Sequence, residues 1–190
     1  MNEFRFEGIV IGHEDWGDVD RVISFYTPAY GKIEAVARGV RYEKSKLKGH
    51  LELLTHGFFS VADGRARAVL TDAAAIENYP RVREFPERTY LGLAIAALYD
   101  ANIFPGMPDE GLWGLLTSEL TWLNSEEIYS GVALRDRAVA FLRRFIETLG
   151  YGALGGVAPR LLDTAFSQHD FTGPKPSEIF ASLGTLAAPL

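Results

Sequence analysis

Residues 20–51 read DRVISFYTPAYGKIEAVARGVRYEKSKLKGHL, and the fold follows from how this stretch divides. Residues 20–27 are rich in β-branched and aromatic side chains, which predicts a strand. Pro28-Ala-Tyr-Gly31 is a turn, with proline at its early position and glycine at its end. Residues 32–37 then predict a second strand, joined to the first by a hairpin-sized connection. From Arg38 the pattern changes. Arg38, Arg41, Lys44, Lys46 and Lys48 follow within eleven residues, with Glu43 the only acid and Tyr42 inside the run. Residues 39–49 are polar and show no clear period, which predicts a mobile loop.

Working outward, Phe4, Phe6, Gly8 and Val10 alternate with their neighbours and predict a strand before the hairpin. The stretch from His13 to Asp18 reads as turn chemistry. Residues 51–62 return to strand character, Asp63-Gly64 is a hairpin signal, and residues 66–79 make a fifth, alanine-rich strand ended by Pro80. Five alternating strands in about eighty residues can close a small barrel. An OB-fold barrel, an SH3-like barrel and a small sandwich all satisfy the pattern.

Beyond Pro80 the period becomes helical. Leu91, Leu93, Ile95, Leu98 and Tyr99 lie in a helix entered through Pro86. Pro105-Gly-Met-Pro108 breaks it, and a second helix runs to Trp122 with Leu112, Leu115, Leu116 and Leu120 inward and Ser118 and Glu119 outward. A third, capped by Asn124 or Ser125, carries Leu134, Ala138, Phe141, Leu142, Phe145 and Leu149 on one face and stops at Gly150. Short helices are expected over residues 159–168 and 177–183. The expected class is α+β, with a five-stranded barrel domain over residues 1–80 and an all-helical domain over residues 81–190.

Composition narrows the function. The 190 residues contain no cysteine, which excludes disulfides and thiolate metal sites. No secretory leader is legible at the start and no apolar run approaches a membrane span, so a cytoplasmic, nucleoid-associated protein without membrane contact is expected. The net charge is −6, but it is unevenly spread: residues 1–83 hold 12 basic and 12 acidic side chains, and residues 84–190 hold 7 and 13. Binding follows the local field rather than the total. No phosphate-binding loop, nucleophile elbow or metalloprotease helix occurs. Glu14, Asp15, Asp18 and Asp20 form an acidic cluster that reads first as a solvated turn and second as a metal or partner contact. His50 and His56 would share a strand face but lack a third ligand. His169 has no partner residue nearby in sequence. Trp113 and Trp122 read as core residues of helices.

The ordered set Gly8-Ile-Val-Ile, Gly17-Asp-Val-Asp-Arg21-Val-Ile, Gly31-Lys-Ile-Glu-Ala-Val-Ala-Arg-Gly-Val-Arg41 and Ser45-Lys-Leu-Lys-Gly-His-Leu51 resembles the RecO family of recombination mediators. Leu149-Gly-Tyr-Gly152 and Gly173-Pro-Lys-Pro-Ser-Glu-Ile-Phe180 extend the resemblance. It implies an N-terminal OB domain followed by helices. It also implies a non-enzymatic protein that binds single- and double-stranded DNA and anneals complementary strands. Implied partners are the acidic C-terminal tail of single-strand-binding protein, RecR and, in some members, RecF. Many members carry a four-cysteine zinc element; this chain has no cysteine, so no zinc and no other cofactor is expected.

On this reading Arg21, Lys32, Arg38, Arg41, Tyr42, Lys44, Lys46 and Lys48 are the DNA-binding candidates, with Arg65 and Arg67 flanking a hairpin that could extend the same edge. Arg135, Arg137, Arg143 and Arg144 are partner-binding candidates by location, although Arg143 and Arg144 also read as an exposed helix face. A protein-interaction adaptor on the same scaffold is the alternative function, and a metal-dependent hydrolase built on the acidic cluster is a distant third.

Overall fold

The computed structural model describes residues 3–127 and 130–150. The first element, β1 (Glu3–Trp16), is long enough to serve two neighbours. Its first half pairs antiparallel with β4 (His56–Ala62) and its second half with β2 (Asp20–Thr27), with a register shift between Val10 and Gly12 where it turns from one to the other. The hairpin of β2 and β3 (Gly31–Ala37) forms as the sequence predicts, with Thr27 opposite Gly31. β4 and β5 (Val69–Glu77) form the second hairpin. A short parallel contact, Val36 with Val69, joins β3 to β5, and the ring closes in the order β1-β2-β3-β5-β4. Of the architectures left open by the pattern, the structure is the OB-like closed barrel. Closure removes the exposed strand edges that an open sheet would present.

Alternation fills the interior. Phe6, Val10, Ile23, Phe25, Phe59, Val61 and Leu70 form the core, with Phe25 and Phe59 ring centroids 4.4 Å apart. Gly57 allows β4 and β5 to approach: a Cβ there would stand 2.5 Å from the Ala74 carbonyl oxygen. Strands β4 and β5 are both shorter than the sequence predicts. β4 starts at His56 rather than Leu51, and β5 starts at Val69 rather than Ala66.

The residues missing from β5 lie in the β4–β5 connection, and those missing from β4 join the connection between β3 and β4, where the expected mobile loop is replaced by a folded plug. Val40 and Leu51 are buried in the barrel core and Leu47 packs against it. Successive turns fix the backbone: Arg41 N donates to Val19 O, Ser45 N to Tyr42 O and His50 N to Leu47 O, and Lys48–His50 is a turn of 3-10 helix. The charges sit on the outside of this plug and the three apolar residues hold it in place.

The compact unit containing the barrel comprises Met1–Asn78 and Asn102–Glu110. The second segment returns to the barrel as a strap. Pro105 bridges Gly31 and Lys32, and Tyr26 Oη donates to the Asp109 carbonyl oxygen at 3.1 Å. Burial, and then the nearby Asp109 carboxylate, pushes the Tyr26 phenol up to about 12. Gly31 has φ +69°, and a Cβ on it would fall 2.6 Å from the Met107 carbonyl oxygen, so this position requires glycine.

The other unit comprises Tyr79–Ala101 and the described residues from Gly111 onward. It holds α1 (Pro80–Glu84), α2 (Pro86–Asn102, whose last residue falls in the barrel unit), α3 (Glu110–Leu123, likewise for its first) and α4 (Gly131–Thr148). The apolar face read for α4 is buried at Leu134, Ala138, Phe141, Leu142 and Phe145, and Phe145 packs 5.0 Å from Tyr99 of α2. Gly150 ends the helix at φ +81°. Three local readings change. The cap of α4 is Ser130, whose hydroxyl accepts from Ala133 N, whereas Asn124 accepts from Arg81 N at the start of α1. Glu119 is buried rather than outward, because Arg137 on α4 reaches it. Trp113 and Trp122 are half-buried rather than core. Arg88, 3% exposed, donates to the carbonyls of Leu123, Ser125 and Glu127 and so satisfies the end of α3. The short helices expected over residues 159–168 and 177–183, and His169, lie outside the described residues.

Candidate nucleic-acid interface

The barrel positions its basic residues unequally. Arg21, at the start of β2, donates Nε to Asp15 Oδ1 at 2.8 Å, and Arg41 Nη1 lies 3.3 Å from the other oxygen of the same carboxylate. The Arg21 hydrogen bond, with both guanidinium charges behind it, holds the Asp15 carboxyl below its ordinary range. Lys32 is 12% exposed along its side chain and lies 3.7 Å from Glu34, on a strand whose start the Pro105 strap covers. The structure therefore does not bring Lys32 to the surface with the others. Arg38, Lys44, Lys46 and Lys48 are exposed and form no ion pair among the described residues. Tyr42 is exposed, with one edge of its ring against Gly39. The Gly39 amide donates to Asp20 Oδ1 at 2.7 Å, which ties the start of the plug to the β1–β2 turn.

The same turn borders a groove that the basic run alone does not define. Trp16, Arg38, Arg65, Arg67, Asp63 and Thr71 are among its lining residues. Trp16 is the last residue of β1, before Gly17 turns the chain at φ +65°, and it remains 49% exposed. Arg65 and Arg67 come from the β4–β5 connection. That connection is tight at Gly64, where a Cβ would stand 2.0 Å from the Arg67 carbonyl oxygen. The Arg67 guanidinium lies 5.1 Å from the centre of the Trp16 ring, and its Nη1 lies 3.5 Å from Glu34. Arg65 is exposed and unpaired among the described residues. Arginines stand beside an exposed indole at one rim of the closed barrel, between two loops, and cations beside an aromatic face are the means by which OB barrels hold a nucleic-acid backbone and its bases. Sequence reasoning missed Trp16. The available signal was an aromatic inside a predicted turn, where no core would cover it.

In the helical unit Arg137 is committed internally. Its Nη2 and Nε lie 2.7 and 2.8 Å from the two oxygens of Glu119, which is 2% exposed, and its guanidinium lies over Trp122. Arg143 and Arg144 are exposed on α4, and Arg144 borders a small depression with Gly111, Gly114 and Ser118. The Arg135 side chain lies outside the described residues. The two histidines do not meet on one strand face: His50 Nδ1 accepts from Ala75 N, while His56 Nε2 lies 2.8 Å from Glu7. Among the described residues no group of carboxylates and histidines could hold a metal ion. Among them too, no helix is long and apolar enough to cross a membrane.

Residues 1–79 match the family model described as "Recombination protein O N terminal". The chain belongs to the RecO family. It is similar to the DNA repair protein RecO of Roseiflexus sp. strain RS-1, at 30% identity over 148 residues, covering 78% of this chain and 50% of that protein. The RecO of Moorella thermoacetica is 28% identical over 170 residues, covering 90% and 59%. That of Dehalococcoides mccartyi strain CBDB1 is 37% identical over 82 residues, covering 43% and 32%. The chain thus spans about half the length of the RecO proteins it matches.

Proposed function

We propose that this chain binds single- and double-stranded DNA without sequence preference, holds complementary strands together for annealing, and helps load a recombinase on strands coated by single-strand-binding protein. The observation that carries this reading is the groove of Trp16, Arg38, Arg65 and Arg67 on an OB-like barrel. Its arginines, with the exposed Lys44, Lys46 and Lys48, would replace counterions on phosphates. Lowering the repulsion between two strands lets base pairing proceed, and no covalent step is required of the protein. The partners that fit this role are the acidic tail of single-strand-binding protein, RecR and RecF, with Arg143 and Arg144 supplying exposed charge to the acidic tail.

A second reading, a protein-interaction adaptor that has lost its grip on DNA, is favoured by the pairing of Arg21, Arg41 and Lys32 with acids. Fluorescence anisotropy with labelled oligo(dT) and a duplex, titrated with salt, decides between them. DNA binding predicts measurable affinity at low salt that falls linearly on a log–log plot with a slope of about −0.7 per phosphate contact on the single strand. Absence of binding at low salt leaves the adaptor.

A further inference from the structure

Of the three tryptophans, Trp16 is the one on the barrel, and it is half in solvent. Its position is costly: a large apolar ring exposed at a strand end contributes little to the core. Its surroundings are electrostatically mixed. Asp20 and Asp63 line the same groove as Arg38, Arg65 and Arg67, and Asp15 and Asp18 adjoin the turn. Such a mixture weakens a grip based on charge alone, yet stacking on an indole face needs no net charge. One cation does cover the ring. Arg67 lies over the indole, and its charge is shared with Glu34 at 3.5 Å, an exposed contact of small worth. Tight folding of the loop at Gly64 keeps Arg67 beside the ring.

We propose that Trp16 is a base-stacking platform that makes the groove selective for unpaired nucleotides, with Arg67 as a displaceable cover. This rests on the DNA-binding reading. An unpaired base replaces the guanidinium on the indole face, and the displaced guanidinium, leaving Glu34, turns to a phosphate of the same strand. A duplex offers no free base face to the ring, since its bases are stacked on one another. It can engage the arginines and lysines but not the tryptophan. The groove therefore binds both forms through charge and separates them through Trp16.

The test compares three probes of about 15 nucleotides, a length within the footprint of such barrels. They are oligo(dT), a strand of abasic residues with the same charge, and a blunt duplex. The wild-type chain is expected to prefer oligo(dT) over the abasic strand. Trp16→Ala should weaken oligo(dT) about tenfold, the scale of one lost base stack, and leave the other two probes unchanged. Trp16→Leu, which keeps apolar bulk without a π face, should behave the same, and Trp16→Phe should restore most of the preference. Arg67→Ala should weaken all three probes while keeping the preference for bases. If the wild-type chain binds oligo(dT) and the abasic strand equally, or if Trp16→Leu weakens all three probes alike or none, the platform is overturned and DNA binding stands on charge. If the wild-type chain binds no probe at low salt, the DNA-binding reading falls and the platform with it.

Discussion

Two basic segments of the barrel unit differ in what their charge is attached to. The run from Arg38 to Lys48 is the denser in sequence, but it is the outer surface of a plug whose Val40, Leu47 and Leu51 fill the end of the barrel. One of its arginines is already held by Asp15. The β4–β5 connection contributes only Arg65 and Arg67, yet it places them in a groove with a half-exposed tryptophan. Charge density marks where phosphates are attracted; shape and an aromatic face mark where a strand is held. A segment can carry many cations mainly because its apolar residues are needed inside and something soluble must face out.

The plug reading is most sharply tested by Leu51→Ala. It should lower the unfolding free energy by about 2–5 kcal/mol, as for a buried leucine whose cavity cannot fully collapse, measured by urea denaturation. Lys44→Ala, Lys46→Ala and Lys48→Ala together should leave that free energy within about 0.5 kcal/mol. A stable Leu51→Ala protein would return this segment to the status of a loop.

The division of binding between the segments comes next. Arg65→Ala with Arg67→Ala should flatten the salt slope on oligo(dT) by about 1.4, two contacts' worth, and weaken binding by roughly tenfold. The triple lysine variant should produce a smaller change per charge removed. The reverse order would move the principal contact to the plug.

The smallest effect concerns Asp15. Asp15→Asn releases Arg21 and Arg41 and should strengthen DNA binding by about two- to fivefold at low salt, in line with exposed ion pairs. The sign with pH is fixed by the depressed carboxyl. Its contribution to stability is fully present above the unfolded value of about 3.8 and is lost as pH falls through the lower folded value. Wild type and Asp15→Asn should therefore converge in thermal stability as the solution is acidified below that range.

Much of the barrel was legible because its cause is local. The β2–β3 hairpin follows from alternation and from Pro28 and Gly31, and α4 from apolar residues at helical spacing. What escaped depends on distant partners. The plug was unreadable because Val40, Leu47 and Leu51 follow neither period, and only the barrel end they fill gives them a common direction. Glu119 was read as outward because its counter-charge, Arg137, lies on another helix. The DNA-binding candidates were chosen by charge, with Tyr42 added only because it lies inside the basic run, and so they included Lys32, which the strand and strap enclose, and passed over Trp16, which lies outside that run. The strap itself has no pattern of its own; its place is fixed by Gly31 and Tyr26.

That strap bears on how the protein can be dissected. The matched domain stops at residue 79, and a recombinant fragment ending there would look complete by strand count. It would lack the peptide that lies against Gly31 and Lys32 and the carbonyl that receives the Tyr26 hydroxyl. Such a fragment would be a barrel without its fastener. Affinities or melting temperatures measured on it would describe a different object from the unit the full chain builds, and grafting the barrel elsewhere calls for carrying residues 102–110 along with it.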